Sequence, residues 1–162
     1  EADAAKALID QGADVIMQHT DSPAAMQVAS ERGVLAFGQD SDMIKFGPKT
    51  QLTAVTNNWA PYYVARVKAA LDGTWKSEDT WDGLKEKMVL MAPYTNMPDD
   101  VKALAEKTEA AIIAGTLHPF KCPVLGQDGK AVECKGGANL DAGQILGMNF
   151  YVKGVDDKIP GK

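Results

Sequence analysis

The sequence predicts an α/β fold organised around a doubly wound parallel sheet. Helix-like and strand-like stretches alternate from the first residues onward, joined by connections of roughly 2–6 residues. Polar loops follow the carboxyl ends of the short apolar runs, and that edge is where open α/β sheets bind ligands. Near the C-terminus an Asp-Gly pair between two short apolar runs adds a terminal β-hairpin.

The elements follow in order. Ala4 to Gln11 is rich in Ala, Leu and Ile and stops at Gly12, a residue suited to the left-handed turn that ends a helix. Ala13 to Gln18 is a short apolar run of the kind that forms a buried parallel strand. His19-Thr20-Asp21-Ser22-Pro23 is a polar loop, with Asp21 or Ser22 placed to cap the next helix and Pro23 in its first turn. Ala24 to Arg32 is helical in period and ends at Gly33; Val34 to Gly38 is a second strand. Gln39-Asp40-Ser41-Asp42 is the second polar loop. Leu52 to Thr56 reads as a strand, and Asn57-Asn58-Trp59-Ala60-Pro61 leads into a helix from Tyr62 to Leu71. Trp75 to Lys87 is a connecting stretch, Lys87 to Ala92 a strand, and Met97-Pro98-Asp99-Asp100 opens a long helix ending near Gly115. Its acidic start complements the positive end of the helix dipole. Pro119 to Val124 and Lys130 to Cys134 are the arms of the hairpin around Gln127-Asp128-Gly129. The tail from Asn139 to Lys162 is Gly-rich, with one apolar stretch at Ile145 to Val152.

Composition narrows the partners. A chain of 162 residues, 45 % hydrophobic and 24 % charged, has the profile of an ordinary globular protein rather than a collagen-like or disordered one. Seventeen Lys and Arg against 22 Asp and Glu give a net charge of −5, which argues against nucleic acid, because phosphate binding needs a dense basic face. No apolar run reaches the ~18 residues of a membrane span.

Cys122 and Cys134 lie almost symmetrically about Asp128, on opposite arms of the expected hairpin. Facing strands bring Cα atoms within disulfide range, and a bridge implies an oxidising compartment. The alternative is two unpaired small hydrophobes beside a turn. Their spacing is not a zinc pattern.

Catalytic and cofactor motifs are sparse. No Gly-x-Ser-x-Gly elbow, dinucleotide fingerprint or P-loop occurs, and Gly136-Gly137 is too short to cradle phosphate. No catalytic residue, metal site or cofactor is therefore expected. Asp40 and Asp42 alternate as in a calcium loop, but the remaining ligands do not follow. They suit hydrogen-bond acceptance from a polyhydroxyl or N–H-rich ligand. His19, next to Thr20 and Asp21, is an acid/base partner, a ligand contact or a solvated loop residue. Trp59, after Asn57-Asn58, is either a flat platform for a planar base or a packing aromatic.

Gly12-Ala13-Asp14-Val15-Ile16, the strand ending Phe37-Gly38-Gln39-Asp40-Ser41-Asp42, and Leu52-Thr53-Ala54-Val55 with its following helix and Gly73 resemble the basic membrane protein family. So do Asp82-Gly83-Leu84-Lys85, Ile112-Ile113-Ala114-Gly115, Pro119-Phe120, Gln127-Asp128-Gly129-Lys130 and Met148-Asn149-Phe150-Tyr151-Val152-Lys153-Gly154-Val155. That family comprises substrate-binding proteins of bacterial ABC importers, similar to purine nucleoside receptors. The resemblance implies a type I periplasmic binding protein-like, Rossmann-like fold, of which this chain is the C-terminal half. Residues 1–56 are then part of the C-terminal lobe, 57–118 a crossover segment with N-terminal-lobe elements, and 119–162 a hairpin and tail. The partners implied are a small-molecule ligand, an ABC permease, and the missing N-terminal half or a second copy. The location implied is periplasmic or extracellular, with the option of a lipoprotein anchor through the N-terminal part of the family's longer chain, which is absent here.

Asp40 matches the family's Asp that accepts hydrogen bonds from ribose hydroxyls. Where the family often carries Lys after the crossover strand, this chain has Asn57 and Asn58. Gln18-His19-Thr20-Asp21 stands in place of a Gly-rich loop. Both departures favour a smaller ligand, a purine base ahead of a nucleoside. Two alternatives use the same fold: a sensor domain of a transcription regulator, and a nucleoside-acting enzyme using Asp40, Asp42 and His19.

Overall fold

The computed structural model describes residues 1–135 and 137–159; Gly136 of the Gly-Gly pair and residues 160–162 of the expected tail lie outside the described residues. The chain forms two compact units, Glu1–Ala110 and Ala111–Lys162, the division falling inside a helix.

The first unit opens with α1 (Ala2–Asp10), β1 (Val15–Ile16), α2 (Ala24–Arg32), β2 (Leu35–Asp40) and β3 (Gln51–Asn57). Strands β1, β2 and β3 run parallel in sequence order, as the alternating pattern requires. β1 is shorter than the expected Ala13–Gln18 strand: Ile16 is buried but Val15 is 40 % exposed. It is an edge strand covered on one face, and only the residues that pair with Leu35 and Ala36 are extended. Gly33 closes α2 with φ 70°, the left-handed cap expected of it. Neither Asp21 nor Ser22 fills the α2 capping position, which Pro23 takes instead of the first turn; Ser22, one residue before that cap, accepts from Ala24 N–H at 3.3 Å through its hydroxyl.

The core lies between the two helices and the first two strands. Ala5, Ala25, Met26, Val28 and Ala29 pack with Ile16, Ala36 and Met43. Small residues dominate this core. Within the sheet Gly38 in β2 lies tight against β3: a Cβ there would sit 2.7 Å from Ala54 Cβ and 2.9 Å from Gln51 Oε1.

The remaining elements of this unit are α3 (Trp59–Leu71), β4 (Val89–Met91) and α4 (Asp99–Ile113), the last crossing into the second unit. β4 departs from the all-parallel expectation. It pairs antiparallel with β3, Val55 opposite Met91 and Asn57 opposite Val89, which makes the sheet mixed with order β1-β2-β3-β4. The stretch 58–88 therefore leaves and rejoins the sheet at neighbouring points, and Asn58 N–H donates to Met88 O at 2.8 Å. Beyond β4 the backbone remains stitched to β3: Thr53 Oγ1 donates to Ala92 O at 2.7 Å, and Thr95 Oγ1 to Gln51 O at 2.6 Å. Helix α3 starts three residues before the expected Tyr62, at Trp59 itself.

In the second unit the Asp-Gly turn forms as expected. Gly126 N–H donates to Lys130 O and Val132 N–H to Val124 O, but the arms make only an isolated bridge between Leu125 and Ala131 rather than continuous strands. Cys122 and Cys134 are joined by a disulfide with Cα atoms 6.5 Å apart, and the Cys122–Pro123 peptide is cis. The apolar stretch 145–152 is not a strand. Its start belongs to α5 (Ala142–Leu146), opened by a capping box in which Asp141 accepts from Gln144 N–H and Gln144 accepts from Asp141 N–H.

Candidate functional site

The carboxyl ends of three parallel strands open onto one edge of the sheet, and the residues expected to bind ligand stand at those strand ends and just beyond them. Gln18 to Asp21 follow β1, Asp40 ends β2 with Asp42 just after it, and Asn57 ends β3 with Asn58 and then Trp59, the first residue of α3, behind it.

Asp40 is the best organised of them. It ends β2 opposite Thr56 and adopts a left-handed backbone conformation, φ 59°, which turns its side chain out of the strand alternation. Asp and Asn tolerate this region because a short polar side chain bonds locally. Here Oδ1 accepts from Gln39 Nε2 at 3.0 Å and from Asn57 Nδ2 at 2.9 Å. Oδ2 accepts no side-chain hydrogen bond among the described residues, and Asp40 is exposed. A charged acceptor is thus held by two neutral amides with one oxygen still available.

The loop after β1 is tied to the loop after β2 by Gln18. Its Nε2 donates to Phe37 O at 3.0 Å and lies 3.8 Å from Met43 Sδ, while its Oε1 accepts from Thr20 Oγ1 at 2.8 Å. Thr20 is therefore fixed by its own proton, and its hydroxyl oxygen remains an acceptor. His19 and Asp21 are exposed, with no side-chain partner among the described residues. Asp42 does not face a ligand alone. Its Oδ1 accepts from Gln51 Nε2 at 2.7 Å and from Ile44 N–H at 3.0 Å.

Asn58 is turned the other way, donating from Nδ2 to Lys87 O at 3.0 Å beside β4. Trp59 is 49 % exposed and does not sit in the core. One face of its indole stacks on Tyr63, with ring centroids 5.8 Å apart at 29°, and Tyr62 meets it edge-on at 6.1 Å. The structure thus joins Asp40 directly to Asn57 and Thr20 to Gln18; it makes no direct bond between those two pairs.

Sequence reading passed over the glutamines. Gln51 is 1 % exposed, and its Oε1 accepts from Met43 N–H at 2.9 Å while its Nε2 holds Asp42. One buried amide thereby sets the course of the loop after β2. The available signal was an amide residue at the head of a strand whose next residues, Leu52 to Val55, are largely apolar, a position that requires partners once buried.

Residues 1–118 match the family model of PnrA-like ABC transporter substrate-binding proteins, known as Bmp. The chain belongs to the Bmp family. A purine-binding protein of Brucella abortus is 65 % identical over 160 residues, which are 99 % of this chain and 45 % of that protein. A putative ABC transporter glucose-binding protein of Haloferax volcanii is 30 % identical over 159 residues, 98 % of this chain and 38 % of its own length. The chain thus spans less than half the length of either relative. Among solved structures, a transcriptional activator of the comK gene from Bacillus halodurans superposes with a TM-score of 0.60 at 20 % identity, covering 72 % of this chain and 42 % of its own. A solute-binding protein of an ABC transporter system from Aeropyrum pernix gives 0.59 at 18 % identity, covering 75 % and 44 %. At such identities these two share the fold alone, that of the periplasmic binding proteins.

Proposed function

We propose that this chain is part of a solute-binding protein that delivers a purine base to an ABC importer, unaltered. The observation that carries the reading is the Asp40 carboxylate, anchored through Oδ1 by Gln39 and Asn57 and open at Oδ2, on the ligand-binding edge of the sheet. A purine presents N–H donors that a carboxylate accepts with charge-assisted strength. Asn57 and Thr20 add neutral donors and acceptors, His19 and Asp21 line the rim, and Asn58 positions the start of α3. The exposed Trp59–Tyr63 stack offers a planar surface of the kind bases pack on. The name of the Brucella relative supports the ligand class, and the Haloferax relative names the main competitor, a sugar.

In this reading residues 1–56 belong to one lobe and the segment 57–118 crosses to the other. The permease recognises the closed form, whose population ligand binding raises by its differential affinity. The protein works outside the cytoplasmic membrane, where the Cys122–Cys134 disulfide persists.

Calorimetry on the full-length protein tests this with adenine, adenosine, guanosine and glucose. Adenine is expected to bind tightest. Asp40→Asn keeps a residue tolerated at φ 59° and removes the charge, so affinity is expected to fall roughly 10- to 100-fold, the value of a hydrogen bond to a charged group. Heat from glucose alone would reassign the ligand, and silence with every base and nucleoside removes it. Release of free adenine from adenosine would overturn the absence of chemistry.

A further inference from the structure

The chain holds three Asp-Gly pairs, Asp72-Gly73, Asp82-Gly83 and Asp128-Gly129, and all three aspartates are exposed. The dipeptide carries a chemistry of its own. The glycine nitrogen attacks the aspartate's side-chain carboxyl carbon, unhindered by a Cβ, and closes a five-membered succinimide. Opening that ring on its other side reroutes the backbone through the side chain, as isoaspartate. Exposure does not rank the three pairs, but hydrogen bonding does.

Asp72 closes α3 with helical torsions, φ −78° and ψ −3°, and the N–H groups of Asp72, Gly73 and Thr74 donate to the carbonyls of Lys68, Ala70 and Ala69. The Gly73 nitrogen leaves that cap only by breaking it. Gly129 N–H is tied to Gly126 O at 2.9 Å. The Asp128 carboxylate accepts from Lys130 N–H at 3.0 Å and pairs with the Lys130 ammonium at 3.3 Å, which keeps it below the usual carboxylate range. Only a neutral carboxyl can expel water, so that anion is a poor target. Asp82 has neither restraint. It lies in the irregular stretch 74–83, and its carboxylate has no partner among the described residues. Gly83 N–H donates to Glu86 Oε2 at 3.0 Å, and that bond holds Glu86 below the usual carboxylate range, ionised at neutral pH. A backbone carbonyl only holds an N–H, whereas a carboxylate can also take the proton.

We propose that Asp82 is a site of spontaneous isoaspartate formation, with Glu86 as the base that takes the Gly83 proton. The Gly83 nitrogen bonds to Cγ of the neutral Asp82 carboxyl as its proton passes to Glu86. Glu86 returns that proton to the departing hydroxyl, which leaves as water. Water then adds to the Asp82 backbone carbonyl and breaks its bond to the Gly83 nitrogen, so no atom is gained or lost overall. The product lengthens the backbone by one carbon directly before Gly83. The Gly83 carbonyl accepts from Met88 N–H at 3.1 Å and Val89 N–H at 3.3 Å, so the change lands on the tie at the head of β4.

The test ages the full-length protein at neutral pH in heavy-oxygen water. Fragment ions diagnostic of the β-linkage then locate isoaspartate peptide by peptide. Position 82 is expected to convert about five times faster than positions 72 and 128, or more. Glu86→Gln keeps an acceptor for Gly83 N–H but takes no proton, and is expected to slow position 82 by about tenfold while leaving 72 and 128 unchanged. Conversion at 82 no faster than at the other two overturns the proposal, and so does a rate at 82 that Glu86→Gln leaves as it was.

Discussion

At the residue scale, the ligand edge depends on a side chain that never reaches it. Gln51 is enclosed and spends both ends of its amide on the loop after β2, one on Met43 N–H and one on Asp42. Replacing it with Met preserves the volume and strands a buried N–H. The cost of such an orphan is about 1–3 kcal/mol, against little for the change in apolar volume. Gln51→Met is therefore expected to lower the urea midpoint with an unchanged slope, and to weaken ligand binding through the displaced Asp40–Asp42 loop. A midpoint equal to wild type would mean that the amide contributes no net stability. Asp40 presents the reverse case: its backbone conformation is uncommon and its side chain exposed, so its replacement by Asn is expected to spare stability while it costs affinity.

At the element scale, what could be read from the sequence follows from periodicity and what could not follows from pairing. The α1-β1-α2-β2-β3 order was legible because apolar runs alternate with helical stretches and Gly12 and Gly33 mark the stops. The direction of β4 was not, since Val89–Met91 carries the same apolar signature whichever way it lies against β3. Helix α5 was hidden for another reason. Asp141-Ala142-Gly143-Gln144 is a capping-box spacing, but the Gly content and the apolar residues beyond it obscured a helix of only five residues. The disulfide was legible from symmetry about the Asp-Gly turn, although the arms it ties form only isolated bridges. With so little ladder to hold the arms, the covalent link carries much of the local order. The double substitution Cys122→Ser, Cys134→Ser is expected to remove about 3 kcal/mol by the chain-entropy argument. Amide exchange checks it: the Gly126 and Val132 N–H groups, both hydrogen-bonded across the turn, should lose protection in the variant or under reductant and keep it in the oxidised protein. Unchanged protection would assign the order of this unit to its packing instead.

At the scale of the whole molecule, stability should fall away on the alkaline side through one identifiable phenol. Tyr94 donates to Glu109 on α4 at 3.0 Å, and burial, then that bond, then the neighbouring carboxylates raise its pKa to about 12. A phenol bound more tightly to its proton in the folded state stabilises fully below its unfolded pKa of about 10. That contribution declines as pH rises through the window from about 10 to about 12. Tyr94→Phe is expected to cost about 0.5–1.5 kcal/mol at neutral pH and to flatten the alkaline decline. Ultraviolet titration of wild type and variant checks the assignment: a tyrosine that ionises last in wild type should be missing from Tyr94→Phe. The candidate site was legible to the extent that the three polar loops could be placed on one edge. Which members touch was not, because Asp40 meets Asn57 through the β2–β3 register, and register is written in neither segment separately.

The stretch 58–88 hangs from the sheet like a flag on a short pole: Asn57 and Val89 stand side by side, and Asn58 is clasped to Met88 and Lys87 just above them. A tug on that flag arrives at the pole's foot, where the Asn57 amide also steadies Asp40. The Asp40 rim and the root of the 58–88 stretch thus share a single amide, so a substitution at Asn57 is felt at both ends.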